Sequence, residues 1–369
     1  MIAQNGMIPM KIFDTTYPLS ITKNYVSRWG VNHAIRELIQ NAIDSESPFK
    51  YEFTQDSLSL TSEFTTLSPQ TLLLGSTSKA DNGDMIGSFG EGYKIALLVL
   101  TRLGHAVEIR NGNKLWTPAF EHSKIFNEEI LVVRETSLSD RSNAGLTIIV
   151  RGLDQFLKDA IIESCLLMQS NIGEIKSTQY GDILLERPGK LYVGGLYICD
   201  VDTEYGYSIH PRHIRLERDR QTVYSWDLEQ ITTNMWYDVG DIDRVVQMIA
   251  KGVKDVSYAQ YNSPQVVKEA CYEFFRKEHP GALIASSATE MKAMIEKGMT
   301  KTVYVGGYTH AVVSSYSGYQ EDSKRAMIIA ASPHDRMKTW LSDNRSEMRA
   351  KAIVAFKQIL EESANWRLK

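Results

Sequence analysis

Three side chains in one short stretch of the sequence have types and a spacing that suit chemistry on a polar ligand. Glu37, Asn41 and Asp44 lie in the segment "RELIQNAIDSE" at positions i, i+4 and i+7. In an α-helix this spacing places them on one face, over about two turns. The surrounding residues have the spacing of a buried helix, and burying a carboxylate costs free energy unless it has a partner. The pattern favours an ion or polar ligand, and the alternative is the solvated face of an amphipathic helix.

A glycine cluster, "IGSFGEGYK", follows later in the chain and precedes the apolar helical pattern "YKIALLVLTRLG". Gly87, Gly90 and Gly92 let the backbone approach a ligand closely, and the first N–H groups of a helix have no intrahelical partner. Such a helix start is suited to binding phosphate, and Lys94 adds a positive charge. The spacing matches neither the dinucleotide fingerprint nor the P-loop, so the cluster alone is weak support for a phosphate site.

The two motifs in this order resemble those of the GHKL (Bergerat-fold) ATPases, the superfamily of heat-shock-90-type chaperones, MutL, Microrchidia ATPases, gyrase-type topoisomerases and histidine kinases. Its "E-L-x-x-N-A-x-D" motif is matched from Glu37 to Asp44, and its "I-G-x-F-G-x-G-(F/Y)-K" motif from Ile86 to Lys94. "GSTSK" at Gly75–Lys79 is similar to the motif before the lid in several members. "GLTIIV" at Gly145–Val150 stands where the superfamily has a "G-T-x-I" strand. The small size is also similar to that of bacteriophage-encoded ATP-binding proteins.

The resemblance implies ATP and Mg²⁺ as cofactors and a role for each matched residue. Glu37 would be the general base toward water, Asn41 would hold Mg²⁺, and Asp44 would support the nucleotide site. Thr147 would contact the adenine side. The residues implied to bind the phosphates, by backbone N–H groups or by charge, are Gly87, Gly90, Gly92, Lys94 and Lys79.

One superfamily motif is missing. The D-x-G-x-G motif, whose Asp reads the adenine amino group, has no counterpart between the two matched segments, and Ser62 or Glu63 stands in the expected place. "DNGDMIG" imitates the motif, but it lies after "TSK", and we interpret Asp81 as a residue of a lid spanning about Ser76 to Ser88. Base choice therefore stays open. The alternative of a nucleotide-gated binding protein with little or no hydrolysis also stays open. Kinase activity is a third possibility, although the chain has no recognisable phosphoacceptor-histidine domain.

An arginine-rich run, "HPRHIRLERDRQTVYSWDL", stands in the middle of the chain. Residues two apart on a strand share a face, so Arg218 and Arg220 point the same way. The resemblance implies that one of them reaches the γ-phosphate from a transducer-like domain. The alternative is a salt-bridged surface strand in which Glu217 and Asp219 are the local partners.

The patterns predict an α+β protein. Its expected parts are a Bergerat-type sandwich of a mixed sheet covered by helices, a transducer-like β-rich domain and a small α/β module with a long terminal helix. We place these parts at residues 1–175, 176–262 and 263–369. Helical spacing predicts helices at about 26–45 and 239–252 and a long one over 333–365, and alternation predicts strands from Met10 and between Ala106 and Arg151.

Composition excludes other classes of protein. The chain has 369 residues with 41 basic and 45 acidic side chains, a net charge of −4 that argues against a general coat for nucleic acid or membrane. Three scattered cysteines exclude a disulfide framework and a cysteine zinc site. No apolar run is long enough for a signal sequence or a membrane span. We expect a cytoplasmic protein (host cytoplasm if viral), a nucleotide-dependent homodimer, and a protein rather than a nucleic acid as macromolecular partner.

Overall fold

The structure is a computed structural model that describes residues 14–45, 47–72, 91–139, 145–216, 222–330 and 333–363. The chain forms two compact units. The first comprises Met1–Lys176, Tyr180–Val201 and Gly206–Val223, and the second comprises Ser177–Gln179, Asp202–Tyr205 and Tyr224–Lys369. The prediction of an α+β protein is confirmed, and the division into three parts stays a prediction.

A seven-stranded sheet is the centre of the first unit, and its strands are β1 (Thr15–Thr22), β2 (Lys50–Phe53), β3 (Ser57–Ser62), β4 (Val107–Asn111), β5 (Lys114–Ser123), β6 (Glu128–Ser137) and β7 (Leu146–Arg151). Their order across the sheet is β1-β6-β5-β4-β7-β3-β2. Every pairing in it is antiparallel, whereas we predicted a mixed sheet. Short turns join β2 to β3, β4 to β5 and β5 to β6, and such hairpins impose antiparallel pairing.

Three helices of the first unit accompany this sheet: α1 (Val31–Ile43), α2 (Gly92–Arg102) and α3 (Gln155–Glu163). A short 3₁₀ helix also forms at Pro69–Leu72. α1 packs against α2 and α3 and reaches β3, while α2 contacts β4 and β5. α1 contributes a fully buried stripe, Ala34, Ile35, Leu38 and Ile39, and this stripe joins Trp116 of β5 in one core. Burying such apolar surface contributes about 25 cal/mol of free energy per Å². This gain determines which side of α1 faces the core, and therefore which side carries the polar groups.

A five-stranded sheet follows, with strands β8 (Ile175–Thr178), β9 (Gly181–Leu184), β10 (Lys190–Val193), β11 (Leu196–Asp200) and β12 (Gly206–Ile209). The order is β11-β10-β12-β9-β8, and β10 pairs with β12 in parallel. β10 and β11 are joined by Gly194 and Gly195, both at positive φ of 57° and 80°. A tight turn of this kind favours glycine because a Cβ is strained at positive φ.

The second unit is mainly helical, and its elements are α4 (Ser225–Val239), α5 (Ile242–Lys251), α6 (Gln265–Glu278), β13 (Leu283–Ala285), α7 (Ala288–Glu296), β14 (Thr302–Tyr304), α8 (Gly307–Ser314), α9 (Ser317–Ala330), α10 (Pro333–Asn344) and α11 (Ala350–Ser363). β13 and β14 form a parallel pair. In the part of the chain that the structure describes, no helix combines the length and apolar character needed to cross a bilayer.

The predicted elements agree with the structure where the apolar period is clear. The helix predicted at 26–45 is α1, and the helix predicted at 239–252 is α5. α4 was not predicted. The terminal helical stretch is interrupted by a 3₁₀ turn at Arg345–Glu347. Of the strand predicted at Met10–Asp14, only Asp14 lies within the described residues.

Candidate functional site

The polar face of α1 is held in place from its first residue. Gly30 precedes the helix in an extended conformation, and its N–H donates to Nδ1 of His33 at 3.1 Å. This bond satisfies one of the backbone donors that a helix start leaves without an intrahelical partner. The helix then runs without interruption to Ile43, with Asp44 as its C-terminal cap. Glu37, Asn41 and Asp44 therefore lie on one helical face, as their spacing predicts.

Glu37 is buried to 1% exposure although the ordinary place of a glutamate is the surface. Its cationic partner is its own neighbour in sequence, since Nη2 of Arg36 lies 3.8 Å from Oε1 of Glu37. Arg36 itself is only 8% exposed. Burying a carboxylate beside a guanidinium costs less free energy than burying either group alone. The sequence prediction did not include Arg36. The feature that could have identified Arg36 is its position, a cation within the predicted buried helix "HAIRELIQNAI".

Asn41 is half-buried, and its amide is oriented by the helix. Its Nδ2 donates to the backbone oxygen of Glu37 at 2.8 Å, one turn earlier. This bond fixes the carbonyl end of the amide on the same face as the Glu37 side chain. An amide carbonyl oxygen is one of the ligand types that Mg²⁺ accepts in proteins.

The start of α2 lies beside the end of α1. Gly92 is the first residue of α2, and the negative charge of Asp44 adds to burial in raising the pKa of Tyr93. Lys94 is 0% exposed. Burial lowers the pKa of its amine, and the Glu91 carboxylate opposes that shift. The first turn of α2 therefore lies near Asp44, at the C-terminal end of α1. A buried amine such as that of Lys94 gains stability from a nearby anion.

Thr147 lies on β7 directly opposite Thr61 of β3. The two hydroxyl oxygens are 3.5 Å apart. Just before Thr147, the chain crosses β3 so closely that a Cβ on Gly145 would lie 2.6 Å from the backbone oxygens of both Ser62 and Glu63. Glycine is required at Gly145 because real Cβ atoms do not approach backbone oxygens to this distance.

Ser62 or Glu63 stands in the place where the superfamily has an adenine-reading carboxylate. Ser62 is 4% exposed, and its hydroxyl bonds to Oγ of Ser45, the residue after the Asp44 cap. Glu63 forms an exposed ion pair with Lys50 at 2.6 Å. The end of β3 thus offers a buried hydroxyl in this place, with the neighbouring carboxylate already paired.

Several predicted site residues lie outside the described part of the chain. Lys79, Gly87 and Gly90 belong to residues 73–90, together with Asp81 and the predicted lid. Arg218 and Arg220 belong to residues 217–221. Around the arginine run, the structure gives a 3₁₀ turn at Pro211–His213 and an isolated bridge between Leu216 and Val223.

The comparisons with known proteins do not identify a function for this chain. No family model matches the sequence, and no curated protein matches it. Among solved structures, the chain is similar to the ATPase and transducer domains of DNA topoisomerase II from Balamuthia mandrillaris. The TM-score is 0.34 with 10% sequence identity, over 85% of this chain and 91% of that chain. A TM-score of 0.34 is too low to assign a shared fold or function.

Proposed function

We propose that the first unit binds ATP with Mg²⁺ and hydrolyses the nucleotide slowly, as a GHKL-type ATPase. The observation that supports this proposal most strongly is the buried Glu37 carboxylate, on one helical face with Asn41 and with Asp44, which lies near the start of α2. A carboxylate is buried where it has a cationic or hydrogen-bonding partner, or where chemistry or binding uses it. A solvated amphipathic face, the alternative weighed for these residues, does not describe a carboxylate that is 1% exposed.

The donor set suits a magnesium nucleotide. The oriented amide of Asn41 offers the oxygen type that Mg²⁺ prefers, and Asp44 adds a carboxylate at the end of the same face. Lys94 and the start of α2 offer a cation and backbone donors to phosphate. Ser62, on the core-facing side of β3, offers a hydroxyl group to a base, whereas Thr147 pairs with Thr61 and lies on the other face of the sheet, so the expected contact of Thr147 with the base does not fit this arrangement. We propose that Lys79, Gly87 and Gly90 complete the phosphate contacts.

The residues of the chain act by orientation and by electrostatics. Glu37 accepts the proton of the attacking water, and the guanidinium of Arg36 lies 3.8 Å from its carboxylate as the neighbouring cation. Asn41 would hold Mg²⁺, and the bound ion would neutralise part of the phosphate charge. Lys94 stabilises the negative charge that develops on the phosphate oxygens in the transition state. We propose Arg218 or Arg220 as a further cation at the γ-phosphate.

A nucleotide-gated binding protein without hydrolysis is the second candidate. The observation that favours it is Ser62, since a hydroxyl hydrogen-bonded to Ser45 replaces the expected carboxylate. A weaker hold on the base lowers affinity and leaves the nucleotide less well oriented for attack. GTP should then compete with ATP more effectively than a carboxylate-based site allows.

The output that we propose is a change of shape. Nucleotide binding would close the segment at about Ser76 to Ser88 and favour a homodimer that acts on a macromolecular partner, a protein rather than a nucleic acid. In such proteins the motion and not the release of phosphate is the useful product.

The decisive variant for the enzymatic proposal is Glu37→Gln, because it removes the proton acceptor and keeps the shape. We expect hydrolysis to fall by about 100-fold or more while ATP affinity changes less than about threefold. The matched control is Glu108→Gln, which removes another carboxylate paired with an arginine in this unit, Arg151 at 3.6 Å. Wild-type turnover indistinguishable from background would support the binding protein, and full activity in Glu37→Gln would reject Glu37 as the base.

A further inference from the structure

The loop between β1 and α1 contains a valine in a conformation that valine rarely adopts. Val26 has a φ of 46°. This left-handed region crowds the Cβ atom of every residue but glycine, and a β-branched residue is an outlier there. In the described part of the chain, the other non-glycine residue at positive φ is Asn127, a residue type that tolerates the conformation. A residue strained in this way persists only where its surroundings impose the conformation.

The guanidinium of Arg102, the last residue of α2, holds this loop through four hydrogen bonds to backbone oxygens. Nη1 donates to Lys23 at 3.1 Å and to Tyr25 at 2.8 Å, and Nη2 donates to Val26 at 3.1 Å and to Trp29 at 3.2 Å. A guanidinium has five N–H donors in a rigid plane, whereas a lysine ammonium has three on a flexible stem. A lysine in this place could therefore satisfy at most three of the four oxygens.

The loop is joined to the first turn of α1 by side-chain and backbone contacts. The side chains of Val26 and Trp29 pack against the core of the first unit. The Trp29 ring lies 5.7 Å from the ring of His33, whose Nδ1 accepts the N–H of Gly30. A displacement of the loop therefore displaces the start of α1.

Contacts with α2 hold α1 at both of its ends. Arg102 at the end of α2 holds the loop before α1, and Asp44 at the end of α1 lies near the first turn of α2. The two helices pack against each other and therefore run antiparallel. Glu37 and Asn41 lie on α1 between these two contacts.

We propose that Arg102 is a positioning residue of the candidate nucleotide site, which sets where α1 lies along α2 by holding the strained β1–α1 loop. This inference rests on the proposed function, because it concerns the alignment of Glu37 with a phosphate at the start of α2. The buried stripe keeps α1 on the core, but apolar contacts are non-directional and allow a small shift along the helix axis. Without the four hydrogen bonds, Val26 relaxes and the start of α1 follows the loop. A shift of about 1 Å can cost about 100-fold in rate.

Arg102→Lys in the full chain tests the proposal through the kinetics of ATP hydrolysis. We expect kcat to fall about tenfold or more while ATP affinity changes less than about threefold, because alignment is lost and the phosphate contacts remain. The matched control is Arg187→Lys, because the Arg187 guanidinium also donates to backbone oxygens, those of Ile172 at 3.1 Å and Asn171 at 3.4 Å. It should hydrolyse ATP as the wild type does. An unchanged kcat in Arg102→Lys, or equal losses in the two variants, overturns the proposal.

Amide hydrogen exchange at the start of α1 gives a second readout that needs no turnover. We expect the amides of residues 34–37 to exchange about tenfold faster or more in Arg102→Lys, with those of α3 unchanged. Wild-type exchange at the start of α1 in this variant overturns the proposal. A wild type that does not turn over ATP rejects the proposed function instead, and the exchange rates alone then decide whether Arg102 positions α1.

Val26→Gly tests the part that strain plays. Glycine adopts a positive φ without crowding, so the loop keeps its conformation with fewer hydrogen bonds. In the Val26→Gly background, the effects of Arg102→Lys on kcat and on exchange should be about threefold smaller or less. Equal effects in the two backgrounds would contradict the claim that Arg102 holds Val26 against strain. Should Arg102→Lys fail to fold, Val26→Gly must restore folding in the double variant, and an unfolded double variant overturns the proposal.

Discussion

At the scale of single residues, the closest backbone approach in the candidate site is at Gly145. The chain crosses the end of β3 there, and a Cβ would lie 2.6 Å from two backbone oxygens that cannot move without breaking the β3–β7 pairing. The same approach sets Thr147 opposite Thr61 and Leu146 opposite Ser62. The glycine therefore determines how β7 pairs with the end of β3, where Ser62 offers the hydroxyl group that we assign to the base of the nucleotide.

We expect Gly145→Ala to lower the free energy of unfolding of the first unit by about 1–3 kcal/mol, because the added carbon overpacks the crossing. ATP affinity should fall as well, since β7 is displaced from β3. Urea unfolding and a nucleotide titration measure the two effects. Gly307→Ala is the control, because a Cβ there has no neighbour within 4 Å and the position begins a helix. Unchanged stability in Gly145→Ala would show that the crossing relaxes freely.

The sequence predicted the site residues with a strict spacing and missed those whose role depends on contacts across the fold. Glu37, Asn41 and Asp44 were identified because a helix places i, i+4 and i+7 together whatever surrounds it. Arg36 was not, since burial of a cation is decided by packing. Arg102 donates to the backbone oxygen of Val26 although the two residues are far apart in sequence, and no local pattern predicts that contact.

At the scale of elements, one buried carboxylate ties three strands together. Glu135 of β6 accepts hydrogen bonds from Tyr17 of β1 at 3.2 Å and from Lys114 and Trp116 of β5 at 2.8 and 2.7 Å. Burial alone would raise the pKa of the Glu135 carboxyl. The three hydrogen bonds outweigh burial and lower that pKa below its ordinary value of 4.5.

A lowered pKa in the folded state gives a definite dependence of stability on pH. The contribution of Glu135 is fully present above pH 4.5 and is lost as the pH falls through the lower, folded-state pKa. We expect Glu135→Gln to destabilise the first unit by about 1–3 kcal/mol at pH 7 and to lose less stability than the wild type in the acid range. Chemical unfolding at a series of pH values measures both.

Glu121→Gln is the control for Glu135→Gln. Glu121 pairs with Arg134 at 2.8 Å, but its side chain is 43% exposed, and exposed pairs contribute only about 0–1 kcal/mol. Equal losses in the two variants, or a Glu135→Gln difference that grows in acid, would contradict the role that we assign to the buried network.

Elements were predicted well where their hydrophobic period is clear and poorly where polar groups are buried. α2 was predicted because "YKIALLVLTRLG" is almost entirely apolar and ends before Gly104, which has φ of 85°. α4 was missed because Thr232 and Thr233 stand in its buried face. Thr233 is 0% exposed, and its hydroxyl donates to the backbone oxygen of Asp255. This hydrogen bond allows the polar side chain of Thr233 to be buried in the core. Because the acceptor Asp255 is distant in sequence, the local pattern around Thr233 does not reveal it.

At the scale of the whole molecule, the nucleotide site that we propose belongs to the first unit alone. The described residues of that site are on α1, α2, β3 and β7, which share one core. The net charge of −4 gives no general attraction for anions. Affinity for a nucleotide must therefore come from local groups, above all from Lys94 and from the Mg²⁺ that we propose Asn41 holds.

Calorimetric titration of the full chain with ATP, with and without Mg²⁺, tests the central claim most directly. We expect one nucleotide per chain in the presence of Mg²⁺, and at least tenfold weaker binding in Asn41→Ala. Asn344→Ala is the matched control, because the Asn344 amide also donates to a backbone oxygen four residues earlier at 2.8 Å, in the second unit. It should bind ATP as the wild type does. No binding at millimolar ATP, or equal affinity in Asn41→Ala and the wild type, would contradict the nucleotide site on α1.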